Sequence, residues 1–338
     1  MHKWDILYIG GSYMCTAITF KTKDSYFGRT LDNPYSYEEQ VTITPRNYSL
    51  KFRKRESIQK HFAFIGMAHL TKEYPLYYDG CNEKGLAIAA LNFVGNAFFP
   101  KSEVGKENIC QFEFIPYILA TCKSIEEVLE RLQNLLIIDE PFSKEFPTAE
   151  LHYFISDAKR CITVEPQRDG LKIYDNPIGV LANNPPFPNQ LFHLNIFMGL
   201  SNTNPNNTFS NQIDLKPYSK GMGAIGLPGD LSSPSRFVRA SFVKMNSVSK
   251  KDELSSVSQF FHILASVDQQ RGCCKTEEGA YEVTIYTSCM NLSKGFYYYT
   301  SYDNHQITRV SLFEEDLEDH LLVSYSLRLQ EQIFIQNK

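Results

Sequence analysis

The sequence predicts an α+β fold in which two mostly antiparallel β-sheets are stacked and helices cover their outer faces, a four-layer αββα sandwich. Two observations support this prediction. Strand patterns and helix patterns alternate in blocks, and successive strands are joined by short turns, which favour antiparallel pairing. Only segment 201–222, rich in Asn, Ser, Pro and Gly, resembles a linker. We therefore expect residues 15–338 to form a single domain.

Strand patterns dominate the first hundred residues. Two apolar runs separated by residues 21–24 predict a β-hairpin, and Asn82–Gly85 supplies turn chemistry before a continuously apolar strand. The predicted strands of this part are 15–20, 25–32, 41–45, 61–68 and the second half of 81–93.

Helix patterns follow in two pairs. Apolar residues recur at three- and four-residue spacing, and Ser124 is a candidate N-cap for the second helix. The predicted helices are 112–122, 123–136, 233–248 and 253–267. Between the pairs, strands are predicted at 151–157, 161–166 and 171–176, and a three-strand meander at 281–292, 295–303 and 305–312 closes the chain.

The composition is that of a folded protein without a basic face for nucleic acid. The chain has 43% hydrophobic and 21% charged residues, and its formal net charge is −4 with Lys and Arg scattered. Its apolar runs are too short to span a membrane. The eight cysteines show no CxxC spacing and no secretory signal precedes them, so we expect free thiols in a reducing cytoplasm, with no metal site and no cofactor.

Cys15 directly follows an internal methionine, Met14, and this order is the main functional signal of the chain. Residues 1–14 lack the pattern of a secretory signal peptide, because their apolar run is short and interrupted. The codons of residues 9–11 can form a purine-rich stretch that resembles a bacterial ribosome-binding site just before Met14. We therefore expect residues 1–14 to be a misassigned start or to be removed, so that Cys15 becomes the first residue.

A terminal cysteine can act as a nucleophile without a histidine. The pKa of its α-amine is about 8 and that of its thiol about 8.5, so the amine can serve as base for its own sulfur. Arg29, returned beside Cys15 by the hairpin, can favour the thiolate, and Asp32 can accept a hydrogen bond from the amine. Without further context a structural cysteine and a solvated Arg29–Asp32 pair are the more common interpretations.

Eight blocks of sequence supply that context. They are MCTAITF (14–20), FGRTLD (27–32), TPRNY (44–48), NEKGLAIAALNF (82–93), FEFIPYIL (112–119), DNPIGVLANNPPF (175–187), GLPGDLSSPSRFVRA (226–240) and YTSCMNLSKGFYYYTSYDN (286–304). In this order they resemble the choloylglycine hydrolase family, the bile salt hydrolases and penicillin V acylases of the N-terminal-nucleophile superfamily. The resemblance covers the chain from Met14 to about residue 310.

The resemblance implies a complete set of groups for acyl transfer. Its members are Cys15 as nucleophile with its own amine as base, Arg29 against the thiol and substrate, Asp32 on the α-amine, Asn92 and Asn183 at the oxyanion site, and Arg236 as support for the cysteine and its hydrogen bonds. The expected reaction is hydrolysis of a linear amide through a thioester on Cys15, without a cofactor.

The resemblance favours conjugated bile acids, with glycine or taurine as the departing amine. Asn92 stands where the acylase branch tends to carry tyrosine, which would narrow the entrance. The loops expected to face a steroid are broadly apolar, and an amphipathic steroid suits a wide apolar cleft. The expected substrate-binding residues are Leu31, Thr71, Phe142, Phe146, Ala149 and Leu151.

Alternatives stay open at this point. The same family fold serves penicillin V acylases and N-acyl-homoserine-lactone acylases. A non-catalytic steroid-binding protein would keep residues 1–14 as a cap on Cys15, and a histidine-dependent cysteine protease would need a Cys–His signature that the sequence lacks. Relatives are often homotetramers, so we also expect a homotetramer, with 201–222 as a plausible contact segment.

Overall fold

A computed structural model describes residues 14–71 and 74–337. The predicted extension lies outside the described residues except for Met14, which begins the first strand. The strands are β1 Met14–Lys21, β2 Ser25–Asn33, β3 Gln40–Thr44, β4 Phe64–Leu70, β5 Pro75–Asn82, β6 Ala87–Asn92, β7 Glu107–Cys110, β8 Leu135–Ile138, β9 Leu151–Ser156, β10 Cys161–Gln167, β11 Gly170–Asp175, β12 Val180–Leu181, β13 Val283–Asn291, β14 Phe296–Ser301, β15 Asn304–Ser311 and β16 Val323–Ser326.

The strands form two large sheets and one small pair. One sheet has the order β12-β1-β2-β13-β14-β15, and the other has the order β11-β10-β9-β6-β5-β4-β3-β16. Every pairing within the two large sheets is antiparallel, whereas β7 and β8 pair in parallel. The sheets face each other through apolar side chains, such as Phe27 and Phe154 with ring centroids 5.3 Å apart. The predicted pair of stacked antiparallel sheets is therefore confirmed.

Helices cover both outer faces. The α-helices are α1 Phe114–Thr121, α2 Ile125–Leu132, α3 Phe187–His193, α4 Ser233–Asn246 and α5 Glu253–Ala265. The first of them packs on β5 and β6, while α4 and α5 pack on the sheet that contains β1, β2 and β13. One apolar core fills the space between the sheets and beneath α4 and α5, and a second lies beneath α1 and α2. The αββα layering follows from these contacts.

Several element boundaries differ from the sequence prediction. The helix predicted over 123–136 ends at Leu132. The chain then forms β8 from Leu135, because these residues pair in parallel with β7 instead of continuing the helix. Ser124 caps that helix as predicted, since its side chain accepts a hydrogen bond from Glu127 N. The prediction missed β5 and α3, which begin next to Pro75 and Pro186. The C-terminal meander is confirmed.

Candidate active site

The predicted hairpin brings Cys15 and Arg29 together. Strands β1 and β2 pair so that Cys15 lies opposite Leu31 and Ala17 lies opposite Arg29. Residues two apart on a strand share a face, so these four side chains project from the same side of the sheet. Cys15 is only 2% exposed, and it points into the space between the two sheets. The sulfur is therefore enclosed by protein where the two halves of the sandwich meet.

Arg29 is a buried cation that crosses from one sheet to the other. Its Nη2 donates to the Cys15 sulfur, and its Nη1 donates to the carbonyl oxygens of Ala90 and, at 3.5 Å, Tyr78. Its Nε donates to the carbonyl of Thr30 at 3.0 Å. Carbonyl oxygens fix three of these contacts, so the guanidinium is held against the sulfur by the backbones of both sheets.

Asn183 contacts the backbone nitrogen of Cys15. Its Oδ1 accepts from Cys15 N at 2.8 Å and from Arg236 Nη2 at 2.7 Å, and its Nδ2 donates to Asn92 O at 2.9 Å. The backbone N–H of Asn183 is already used by Ser233 Oγ at 2.9 Å. One N–H of the Asn183 side chain therefore stays available for a negatively charged oxygen.

Asn92 ends strand β6 on the opposite side of the site. Phe93 N donates to Glu150 O, so the preceding residue pair, Asn92 with Leu151, occupies a non-hydrogen-bonded position of the ladder. The backbone groups of Asn92 thus point away from β9, and its carbonyl meets Asn183 Nδ2 at 2.9 Å. Within the described residues, the Asn92 side chain has no hydrogen-bond partner. The Asn92 N–H on the same side is a second candidate donor for an oxyanion.

Arg236 supports the cysteine from the helical layer. It lies on the first turns of α4, is fully buried, and donates through Nη1 to Cys15 O at 2.6 Å and to Thr16 Oγ1 at 2.5 Å. Its Nη2 contacts Asn183, and its Nε donates to Leu231 O at 3.0 Å. A planar guanidinium can satisfy these acceptors together, which a single ammonium cannot.

Asp32 lies in β2, opposite Met14 in the strand register. Its carboxylate accepts from Thr284 Oγ1 at 2.7 Å and from Thr30 Oγ1 at 3.2 Å, and it is fully buried. The backbone N–H of Met14 instead donates to Glu282 Oε1 at 2.8 Å. The expected bond from Asp32 to the α-amine of Cys15 stays a prediction, because Cys15 N carries a peptide bond in this structure.

Burial dominates the proton affinities of the site. It raises the pKa of the Cys15 thiol, although the Arg29 cation acts in the opposite direction. It also raises the pKa of Asp32 to about 6 against the effect of Arg236, and that of Glu282 to about 7 against the N–H of Met14. A buried thiol with a raised pKa keeps its proton near neutral pH, so it needs an adjacent base before it can attack.

The expected substrate-binding residues lie in two places, one beside the strands that carry Cys15 and Asn92 and the other in a cluster of aromatic rings. Leu31 and Leu151 lie opposite Cys15 and Asn92 in their strand pairs, and Ala149 is an exposed residue just before β9. Phe142 and Phe146 belong to one cluster of rings, with centroids 6.3 Å apart.

This cluster of aromatic rings packs neighbouring segments of the chain against one another. Its other members are Tyr37, His69, Tyr74 and Phe112. Thr71 belongs to the same region, since its hydroxyl bonds to the backbone of Tyr74. The assignment of these residues to substrate binding stays a prediction.

Sequence reasoning missed several polar groups that the site uses. Ser233, Thr284 and Glu282 contact Asn183, Asp32 and Met14 respectively. Ser233 lies within the block that holds Arg236, and Glu282 and Thr284 lie shortly before the block that begins at Tyr286, so polar residues within or just before these blocks were the available signal.

In residues 14–71 and 74–337, no three His, Cys, Asp or Glu side chains gather in a way that would hold a metal ion. No described helix is both long and apolar enough to cross a bilayer.

Comparison with known proteins assigns the chain to a family. The profile of the linear amide C–N hydrolases, choloylglycine hydrolase family, matches residues 15–325. The chain is 52% identical over 324 residues to the bile salt hydrolase/transferase of Lactiplantibacillus plantarum, covering 96% of this chain and all of that protein. It is 38% identical over 319 residues to the bile salt hydrolase/transferase of Clostridium perfringens, covering 92% and 96%.

Solved structures give the same result. A crystal structure of a conjugated bile acid hydrolase variant from Clostridium perfringens superposes with a TM-score of 0.89 at 35% identity, covering 96% of this chain and all of that one. Penicillin V acylase from Agrobacterium tumefaciens superposes with a TM-score of 0.73 at 18% identity, which shows a shared fold. The fold is that of an N-terminal-nucleophile hydrolase. The chain belongs to the choloylglycine hydrolase family of linear amide C–N hydrolases.

Proposed function

We propose that this protein is a bile salt hydrolase that cleaves the amide bond of glycine- and taurine-conjugated bile acids, with Cys15 as its N-terminal nucleophile. The observation that carries the proposal is the set of contacts around Cys15. Arg29 donates to its sulfur, Asn183 accepts from its nitrogen at 2.8 Å, and Arg236 holds its carbonyl at 2.6 Å. The names of relatives at 52% and 38% identity support the substrate class.

In the proposed reaction the α-amine of Cys15 takes the thiol proton, and the sulfur attacks the amide carbon of the substrate. The carbonyl oxygen becomes an oxyanion, and the free N–H groups of Asn92 and Asn183 stabilise it. As the tetrahedral intermediate collapses, the C–N bond breaks and the α-ammonium gives its proton to the departing glycine or taurine. Water then attacks the thioester, which releases the bile acid and restores the thiol.

The first step agrees with the electrostatics of the site. Burial raises the pKa of the Cys15 thiol, so the thiol form dominates until a base removes the proton. Within the described residues, no histidine hydrogen-bonds to Cys15. His152, for example, bonds to Glu165 and to Ala182 O at 3.2 and 2.9 Å. The α-amine is the base that this arrangement leaves available.

The proposal extends to the setting of the enzyme. We infer a cytoplasmic bacterial homotetramer that needs no cofactor, with residues 1–14 absent from the native chain. The relatives at high identity are bacterial, and the family match begins at Cys15.

The test is an activity assay on the chain expressed from Met14, with taurocholate, glycocholate and penicillin V as substrates. The expected result is release of taurine and glycine at rates well above penicillin V cleavage, and its loss in Cys15→Ser. Cys161→Ser is the matched control, because its half-buried thiol bonds to Asn176 O at 3.1 Å and to the Thr19 side chain. Wild-type rates in Cys15→Ser, or faster cleavage of penicillin V than of both bile salts, would overturn the proposal.

A further inference from the structure

Glu282 is a buried carboxyl group aimed at the backbone just before the nucleophile. Its side chain is 3% exposed, and its Oε1 accepts from Met14 N at 2.8 Å. Its own N–H is fixed by Cys274 O at 3.0 Å. Among the described residues no second donor contacts this carboxylate. Loss of the Met14 N–H would therefore leave a buried carboxylate without a donor, which costs free energy of folding.

Removal of Met14 would change the surroundings of Glu282. Met14 forms part of the lining of a cavity of about 460 Å³, together with Leu231, Ser232, Gln270 and Cys274. In a chain that begins at Cys15 the carboxylate loses its donor, while a new α-ammonium group appears one residue away. The new amine lies one residue beyond the Met14 nitrogen that Glu282 now contacts, so contact between the two groups requires a rotation of the Glu282 side chain toward Cys15.

The charges that face this point favour an ammonium group. Glu282 interacts with Asp32 and with the Arg236 cation, and Cys274 and Cys15 are the neighbouring thiols. The Arg29 cation and the Asp268 carboxyl group also act on Asp32. An α-ammonium group beside Asp32 and Glu282 is favoured by both of these carboxylates.

The α-ammonium also has more donors than the other acceptors can use. It carries three N–H groups, and Asn183 Oδ1 accepts one from Cys15 N. The Asp32 carboxylate, which also binds the hydroxyls of Thr30 and Thr284, can accept a second, so a third N–H remains. Glu282 is the acceptor that processing leaves without a partner.

We propose that Glu282 is a second carboxylate that contacts the α-amino group of Cys15 in the processed enzyme, a positioning residue that orients this amine and stabilises its ammonium form once the amine has taken the thiol proton. The inference rests on the proposed N-terminal role of Cys15. Its consequence is that Glu282 sets the proton affinity of the α-amine, since a nearby anion favours the ammonium form.

The test measures that proton affinity directly. Chains are expressed from Met14 in a Cys15→Ser background, where no terminal thiol competes for reagent, and their first residue is confirmed by mass. Trace acetylation of the α-amine is followed across pH. Glu282→Gln is expected to lower the pKa of the α-amine by about 1–3 units. Glu278→Gln, an exposed carboxyl in the same segment, is the matched control and leaves that pKa unchanged.

The outcomes separate this inference from the proposed function. An unchanged α-amine pKa in Glu282→Gln overturns the role of Glu282, whatever the enzyme hydrolyses. A lowered pKa in a chain whose Cys15 form does not cleave bile salts supports Glu282 and overturns the proposed substrate. Where Glu282→Gln does not fold, Glu282→Asp keeps the charge at a greater distance, and an intermediate pKa is expected. Retention of Met14 on every folded chain overturns the inference, because no α-amine then exists beside Glu282.

Discussion

Replacement of Asn183 by alanine tests the proposed oxyanion site. The substitution removes three contacts: Oδ1 with Cys15 N and with Arg236 Nη2, and Nδ2 with Asn92 O, at 2.8, 2.7 and 2.9 Å. It also removes the remaining N–H that would stabilise the oxyanion. Loss of one such donor typically lowers kcat by about 10²–10³, or roughly 3–4 kcal/mol of transition-state stabilisation. The released Cys15 nitrogen adds to this loss, so we expect a kcat reduction of at least about 10².

The neighbouring asparagine provides the matched control. Asn184 Nδ2 donates to Val94 O at 2.8 Å, and its Oδ1 accepts from Asn96 at 2.9 Å, so its side chain bonds to a loop and not to Cys15. Asn184→Ala is expected to cost about 1 kcal/mol in the free energy of unfolding and to leave kcat nearly unchanged. The assay is release of glycine from glycocholate under saturation, with urea unfolding of each variant. Equal loss of kcat in both variants, or near wild-type kcat in Asn183→Ala, would refute the assignment.

Three further predictions concern buried polar groups. Arg236→Lys is expected to lower kcat/KM by about tenfold or more, because one ammonium cannot replace the forked contacts, each worth roughly 1.5–3 kcal/mol; steady-state kinetics check this. Tyr297→Phe removes a 2.7 Å hydrogen bond to buried Asp79 and is expected to lower the free energy of unfolding by about 1–3 kcal/mol in urea titrations. In the chain that retains Met14, burial raises the pKa of Asp32 from its usual value of 3.8 to about 6, so the folded state binds this proton more tightly than the unfolded state. The stability that this proton binding contributes is full below about pH 4 and is lost as the pH rises through 6. Asp32→Asn is therefore expected to gain about 3 kcal/mol relative to that chain between pH 4 and pH 7, measured by unfolding at each pH.

Each of these three has a result that contradicts it. Full activity of Arg236→Lys would show that charge alone supports the cysteine. Tyr218→Phe, at an 87% exposed tyrosine, is the control for Tyr297→Phe, and equal stability of the two variants would contradict the buried bond. A stability difference between Asp32→Asn and its parent that does not change with pH would show that Asp32 titrates as an exposed carboxyl.

The sequence was sufficient for features that depend on local order. The hairpin that brings Arg29 to Cys15 follows from the turn at residues 21–24, and the observed strand register places both side chains on one face. The Ser124 cap was likewise a local signal. These predictions needed only strand alternation, turn chemistry and capping.

Contacts between distant segments were not predictable in the same way. Strand β5 was missed partly because Asp79 interrupts its apolar pattern. That carboxylate is satisfied by Tyr286 and Tyr297 of the other sheet, at 2.9 and 2.7 Å. Turn chemistry could not distinguish Asn183 from Asn184, since only the folded chain shows which of them reaches Cys15. Pairing across sheets depends on tertiary packing, which a local pattern does not contain.

The proposed mechanism requires that Cys15 is the first residue of the active enzyme and carries the acyl group. The most direct measurement is acid quenching of native enzyme during turnover of taurocholate, followed by mass analysis of the N-terminal peptide. We expect a peptide that begins at Cys15 and carries a cholyl thioester on that residue. An active enzyme that still carries residues before Cys15, or an acyl group on a different residue, would contradict it.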